Sequence, residues 1–216
     1  MPDFITVTGM VLKNAPIGEA DNRITLLTLE KGKISAFVRG ARKPTGRFAA
    51  ISNVFTFGKF KLYVKGDSYS VGECNVINYF EDLMKDYEGA YYGIYFCEIA
   101  DYYCRENNDE ALMLKLLYQS LRAILSDSIP NNLVRAIFEL KSIMVNGEYP
   151  GAPQDMKLGN TTLYTLEYIF NTNVEKLFTF TLEDEALNEV VKVADKYRKR
   201  FMERKFKSLE ILETLC

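Results

Sequence analysis

The hydrophobic spacing of this 216-residue chain changes once, and that change constrains the fold more than any motif does. Up to Tyr79 apolar residues recur at every second position, the pattern of strands with one buried face. Beyond it they recur at helical spacing. The chain therefore reads as α+β. Residues 1–80 form a strand module and residues 81–216 a helical one, with central helices over 81–150 and C-terminal helices over 151–216.

Five alternating runs fill the first module. Residues 5–12 form the first. Residues 22–29 form the second, with Ile24 and Leu26 on one face. Glu30-Lys31-Gly32-Lys33 is a short turn in which Gly32 supplies a positive φ. Residues 34–39 make the third run, with Ile34, Ala36 and Val38 inward. Residues 54–65 make the fourth, and Gly66-Asp67 turns the chain into the fifth, residues 69–77. Five short strands at this spacing suit a small barrel. The five-stranded OB-type Greek key is the commonest such solution, with an SH3-like barrel as the alternative.

Composition excludes much chemistry. The chain has no histidine, so a Ser-His-Asp triad, a Cys-His dyad and an imidazole general base are all ruled out. Cys74, Cys97, Cys104 and Cys216 form no C-x-x-C pair, which argues against a zinc ribbon or a thioredoxin-type site. Cys97 and Cys104 lie two turns apart on one helix face and are expected to be packing residues. Isolated thiols suggest a reducing compartment. The first ten residues have neither a basic nor an apolar leader segment, and no run reaches the length of a membrane helix. These features predict a cytoplasmic protein with no membrane contact and no cofactor. Glu183-Asp184 and Asp109-Glu110 sit at helix starts, where capping accounts for them, so no enzyme activity is expected.

The net charge of −2 hides an uneven distribution. Residues 1–80 carry 11 Lys/Arg against 6 Asp/Glu, residues 81–150 carry 6 against 12, and residues 151–216 carry 10 against 11. A basic module attached to an acidic one suggests a polyanion partner for the first.

Two features concentrate that charge. On the fourth strand Val54, Thr56, Gly58, Phe60, Leu62 and Val64 face the barrel interior, leaving Phe55, Phe57, Lys59, Lys61, Tyr63 and Lys65 on the other face. Rings for stacking and amines for phosphate are the equipment of a sequence-indifferent single-strand binder. Phe55 and Phe57 either serve that face or pack beneath the following domain. The second feature is the loop after the third strand, where Arg39, Arg42, Lys43 and Arg47 fall within nine residues among glycines and a proline. This predicts a mobile connection whose guanidinium forks reach phosphates. Lys33 adds a further cation beside it. No nucleotide-binding glycine motif occurs.

The remainder reads as helices. Residues 82–105 place Leu83, Tyr87, Ala90, Ile94, Cys97 and Cys104 on one seam. Asn108 caps a second helix over 109–125. Pro130 opens a third, striped by Leu133, Ala136, Ile137, Leu140, Ile143 and Met144 and ended by Gly147 and Pro150. A short helix spans 162–170. Thr181 offers an N-cap for the last, which runs to Lys205. Its end is rich in cations, Arg200 and Arg204 among them, beyond what a helix dipole needs. That excess suits a second polyanion contact.

The order of these features resembles one family. Gly9-Met10-Val11-Leu12 is followed by Gly18-Glu19-Ala20-Asp21-Asn22-Arg23-Ile24-Thr25-Leu26-Leu27-Thr28, then Gly32-Lys33-Ile34-Ser35-Ala36, then Arg39-Gly40-Ala41-Arg42-Lys43-Pro44 and Arg47-Phe48. Together with Tyr149-Pro150 and Lys207-Ser208-Leu209, they resemble the bacterial recombination-mediator protein RecO over nearly the whole chain. The resemblance implies an N-terminal OB-fold, a helical remainder and no enzymatic turnover. It implies binding of single- and double-stranded DNA, annealing of complementary strands, and loading of RecA together with RecR on strands coated by single-strand-binding protein. The acidic tail of that protein would dock on the helical part. The family's basic loop falls on Arg39, Arg42, Lys43 and Arg47. Many members also carry a four-cysteine zinc finger after the Tyr-Pro stretch. This chain runs from Tyr149-Pro150 through residues 154–158 directly to the next helix, so a finger-less variant without bound zinc is expected. The competing class is an interaction scaffold whose basic barrel binds an acidic protein.

Overall fold

The computed structural model describes residues 3–43, 48–126 and 128–215. The chain divides into two compact units. One comprises residues 1–81 and 97–114, the other residues 82–96 and 115–216.

The first unit is a closed barrel of five strands in the order β1-β2-β3-β5-β4, namely β1 (Phe4–Ile17), β2 (Asp21–Thr28), β3 (Gly32–Val38), β4 (Phe57–Lys65) and β5 (Ser68–Asn78). The β3–β5 contact is parallel and holds only two residue pairs, Ala36 with Tyr69 and Phe37 with Ser70. All the other pairings are antiparallel. This is the OB arrangement.

Alternation built it. Val7, Val11, Ile24, Leu26, Ile34, Ala36, Val38, Phe60 and Leu62 point inward and form the core. Fully burying a side chain such as Phe60 contributes about 1.5–3 kcal/mol. A 3-10 turn at Ala50–Ser52 fills one end. There Ile51 joins the core and the Ser52 hydroxyl accepts from the Asn22 amide at 3.1 Å.

The strand-four expectation needs correction. β4 begins at Phe57, because Phe55 adopts φ 74° and Val54 lies in a turn. Phe55 is completely buried and offers no ring to a ligand. Its N–H donates to Val11 O at 2.9 Å, so the segment before β4 is bonded to β1.

Residues 97–114 belong to the barrel unit and cover part of its outside. Lys33 N–H donates to Arg105 O at 3.0 Å, and Asn107 N–H donates to Lys31 O at 2.9 Å. Gly32 (φ 62°) lies so close that an added Cβ would stand 2.3 Å from Arg105 O. Cys97 and Cys104 are buried, and burial drives both thiols far above the ordinary thiol range.

Seven helices run through the rest of the described chain: α1 (Glu81–Lys85), α2 (Tyr87–Tyr103), α3 (Ala111–Ile124), α4 (Asn131–Val145), α5 (Asn160–Asn171), α6 (Asp184–Phe201) and α7 (Lys207–Leu215). Several differ from the sequence reading. The expected helix over 82–105 breaks at Asp86, whose carbonyl accepts the first bond of α2, from Ala90 N–H at 2.8 Å. Of the expected seam Leu83, Cys97 and Cys104 are buried, Ala90 and Ile94 are half-buried and Tyr87 is exposed, while Tyr92, Tyr95, Phe96, Ile99 and Ala100 are buried as well. Asp109, not Asn108, caps α3, its Oδ1 accepting Ala111 N–H at 3.1 Å. α6 begins at Asp184 with Glu183 rather than Thr181 in the cap position, and no side chain caps it. It ends at Phe201, and α7 is a separate helix.

The helical unit packs on α4. Phe96 and Phe138 stack with ring centroids 4.3 Å apart. Tyr95 meets Phe206 edge-on at 5.4 Å. Gly147 (φ 76°) ends α4 as expected. Glu148 N–H donates to Ile143 O and Gly147 N–H to Met144 O, the paired bonds of a Schellman motif.

Candidate nucleic-acid interface

The loop after β3 is tethered where it leaves the barrel. Gly40 takes φ 68° and donates its N–H to Asp21 Oδ1 at 2.8 Å. Arg42 N–H donates to Ala20 O at 2.9 Å, and its guanidinium donates to Gly18 O at 3.1 Å. Ala41 is buried in the barrel core between them. Residues 40–42 are thus held by the β1–β2 turn, which differs from the mobile connection expected. Arg39, Arg42 and Lys43 remain exposed around that anchor. Among the described residues Arg39 and Lys43 form no ion pair. Arg47 and its neighbours 44–46 lie outside the described residues.

Strand register extends this patch in a way the sequence reading missed. Ala15, Arg23, Phe37 and Ser70 form one transverse row across β1, β2, β3 and β5. Arg23 is exposed, and its Nε donates to Ser35 Oγ at 2.7 Å. Phe37 is half-buried beside it, and Arg39 follows two residues later, in the turn just past β3. The signal was present, since Arg23 alternates with the inward Ile24. It was missed because the second run was read only for its buried face. The β2–β3 face, with the β1–β2 and β4–β5 loops, is where OB barrels take oligonucleotides.

Lys33 is engaged elsewhere. Its ammonium donates to the carbonyl and carboxylate of Asp101, which also accepts from Lys13 at 2.6 Å. Burial pushes the Asp101 carboxyl upward, but the Lys13 hydrogen bond and the two lysine charges outweigh it and hold it below the usual range. Lys33 therefore braces residues 97–114 against the barrel.

On β4 the outward Lys59, Lys61, Tyr63 and Lys65 fall where alternation put them. Phe57 is half-buried at the start of the strand. On the helical unit, Arg200 and Arg204 are exposed at the end of α6 and just beyond it. The Arg200 guanidinium lies 5.1 Å from the Phe201 ring centre, and that of Arg204 lies 6.0 Å from Phe206. Lys196 pairs with Asp155 on the same unit. Among the described residues no three Cys, Asp or Glu side chains converge as metal ligands, and no helix is long and apolar enough to cross a membrane.

Comparison with known proteins gives a consistent result. The model of the N-terminal part of recombination protein O matches residues 1–80, and that of its C-terminal part matches residues 84–159. A DNA repair protein RecO of Acetivibrio thermocellus is 28% identical over 246 aligned positions, covering 99% of this chain and 98% of the relative. The RecO protein of Clostridium novyi is 25% identical, covering 95% and 92%. That of Listeria monocytogenes is 31% identical over 154 residues, covering 71% and 60%. The first alignment is longer than this chain, so that relative carries residues with no counterpart here.

Proposed function

Because the chain belongs to the recombination protein O family of DNA repair proteins, we propose that it binds DNA without reading sequence, single- and double-stranded alike, and anneals complementary strands. It acts with RecR to help load RecA on DNA coated by single-strand-binding protein, whose acidic tail docks on the helical unit. It turns over no substrate.

The observation that carries this reading is the tethered loop. Arg39, Arg42 and Lys43 are held exposed beside Arg23 and the Phe37 ring, with no carboxylate bound to Arg39, Arg42 or Lys43 among the described residues. Phosphate contacts position a strand and stacking adds affinity, and neither selects a base. The basic end of α6, with Arg200 and Arg204, offers a separate phosphate contact.

Fluorescence polarisation of labelled single-stranded DNA across a salt series tests it. Replacing Arg39, Arg42 and Lys43 by Ala weakens binding and flattens the salt dependence by about 0.7 per lost phosphate contact. An unchanged slope overturns the assignment of the loop.

A further inference from the structure

The barrel carries a second exposed aromatic and cationic face. In the closed order β1-β2-β3-β5-β4, one strand separates β4 from the β2–β3 hairpin on each side, β1 on one and β5 on the other. The outer face of β4 therefore points away from Arg23, Phe37 and Arg39.

Its residues are arranged as a platform. Tyr63 sits directly opposite Phe4 on β1, which brings their Cβ atoms within about 5.5 Å. Both rings are exposed, Phe4 by 56% and Tyr63 by 43%. Neither ring is loose. The Lys61 ammonium lies 4.3 Å from the centre of the Phe4 ring. Tyr63 lies across Gly72, the unpaired residue of a bulge between Glu73 and Val71, so closely that a Cβ there would stand 2.3 Å from Tyr63 Cε2. Lys59, Lys61 and Lys65 follow at two-residue steps or multiples, roughly 7 Å each. Among the described residues Lys59 and Lys65 form no ion pair. Thr6, Thr8 and Asn75 flank the lysines on the adjoining strands, with Glu73 opposite Lys61 and the Glu30 carboxylate accepting from Thr8 N–H at 2.8 Å.

Two pre-positioned rings within a row of amines, of which Lys59 and Lys65 form no ion pair among the described residues, match a single-stranded nucleic acid, whose bases stack and whose phosphates pair. We infer that the β1–β4 face binds a second single strand, so that one barrel holds two strands on opposite sides. This rests on the DNA-binding reading of the loop. Annealing then occurs between strands already held on one scaffold, at a raised effective concentration.

The test uses the full chain with two oligothymidines, one labelled with a donor and one with an acceptor, which cannot pair with each other. With the oligonucleotides in excess over protein, the unmodified chain brings them together and gives energy transfer. The variant Lys59→Ala/Lys61→Ala/Lys65→Ala and, separately, Tyr63→Leu lose that transfer and anneal complementary strands about tenfold more slowly or worse. Both still bind one oligonucleotide through the loop. The two variants change charge and ring independently, so misfolding of one leaves the other decisive. Transfer and annealing equal to the unmodified chain in both variants would sink the second face while leaving the loop assignment intact. Failure of the unmodified chain to bind oligothymidine at all would overturn the DNA-binding reading itself. Binding of polyglutamate in place of oligothymidine, lost in the lysine variant, would assign the face to an acidic protein and equally overturn the proposal.

Discussion

Tyr95 donates its phenolic hydrogen to Glu139 Oε1 across 2.6 Å in the interior of the helical unit, where neither side chain reaches solvent. Glu139 also lies 3.9 Å from Arg135 Nε and 3.7 Å from Arg198 Nε, and Asp195 bridges the two guanidiniums at 3.3 Å each. Burial raises the Glu139 carboxyl, opposed by the Arg135 charge, the Tyr95 bond and Arg198. Among the described residues Glu139 Oε2 and the Nε atoms of both arginines have no hydrogen-bond partner. This network joins α4 to α6, so its loss exposes an uncompensated interior charge.

Glu139→Leu is accordingly expected to cost about 3–5 kcal/mol, because two guanidiniums lose their buried counter-charge. Tyr95→Phe removes one hydrogen bond to a charged acceptor and costs about 1.5–3 kcal/mol. Urea unfolding of the two single variants and the double variant measures both. Costs that simply add would show that Tyr95 and Glu139 are not coupled.

Asp101 gives the barrel unit an acid-sensitive contact. Its carboxyl is held below its unfolded value, so the stabilisation is present above the unfolded carboxylate pKa of about 3.9 and is lost as pH falls through the lower folded value. Asp101→Asn should therefore lower the urea midpoint at pH 7, and the gap to the unmodified chain should close below about pH 4. A gap that persists unchanged at low pH would show that the lysine pairs contribute nothing.

Lys141 supplies a side-chain cap for the end of α5. Its ammonium donates to the carbonyls of Ile169 and Phe170 at 2.8 Å and of Thr172 at 3.0 Å, acceptors that a helix end leaves open. Lys141→Met should cost about 1.5–3 kcal/mol, the usual worth of a hydrogen bond to a charged group. Hydrogen exchange at Thr172, whose N–H closes the last turn on Tyr168 O, should accelerate first. Uniform loss of protection along α5 would argue against a local cap.

Gly32 makes a close backbone approach to residues 105–108, leaving no room for a Cβ. Alanine there meets a left-handed φ, costing about 1–2 kcal/mol, and a backbone oxygen that cannot step aside. Gly32→Ala should lower the urea midpoint and release residues 105–108, read as faster exchange at Asn107, whose N–H is bonded to Lys31 O. An unaltered Asn107 exchange rate would place the strain elsewhere.

The inward faces of the strands were legible because two-residue alternation is dictated by the barrel itself. Ile24, Leu26, Ile34, Ala36, Val38, Phe60 and Leu62 all fall where the spacing put them. The outward faces were less so. Lys33 and Lys59 are alike in sequence, yet one binds Asp101 from a segment 68 residues away and the other forms no ion pair among the described residues. Only tertiary contact separates them. Phe55 was misplaced because a positive φ at a non-glycine residue breaks the alternation without any local sign. After the helix break at Asp86, Tyr87 is exposed and Tyr95 and Phe96 are buried, while Cys97 and Cys104 are buried where the spacing put them. Within the interface, the charged loop was visible from composition. The pairing of Arg23 with Phe37 required the β2–β3 register.

Closure of the barrel has a consequence for recruitment. Every strand already has a neighbour on both sides, and the two-pair β3–β5 seam is the thinnest of these pairings. The closed barrel thus offers no open edge strand for a partner peptide to extend, the mode that open-edged domains use. A protein meeting the barrel would do so through side chains, so at the β2–β3 or β1–β4 face it would compete with DNA bound there as proposed.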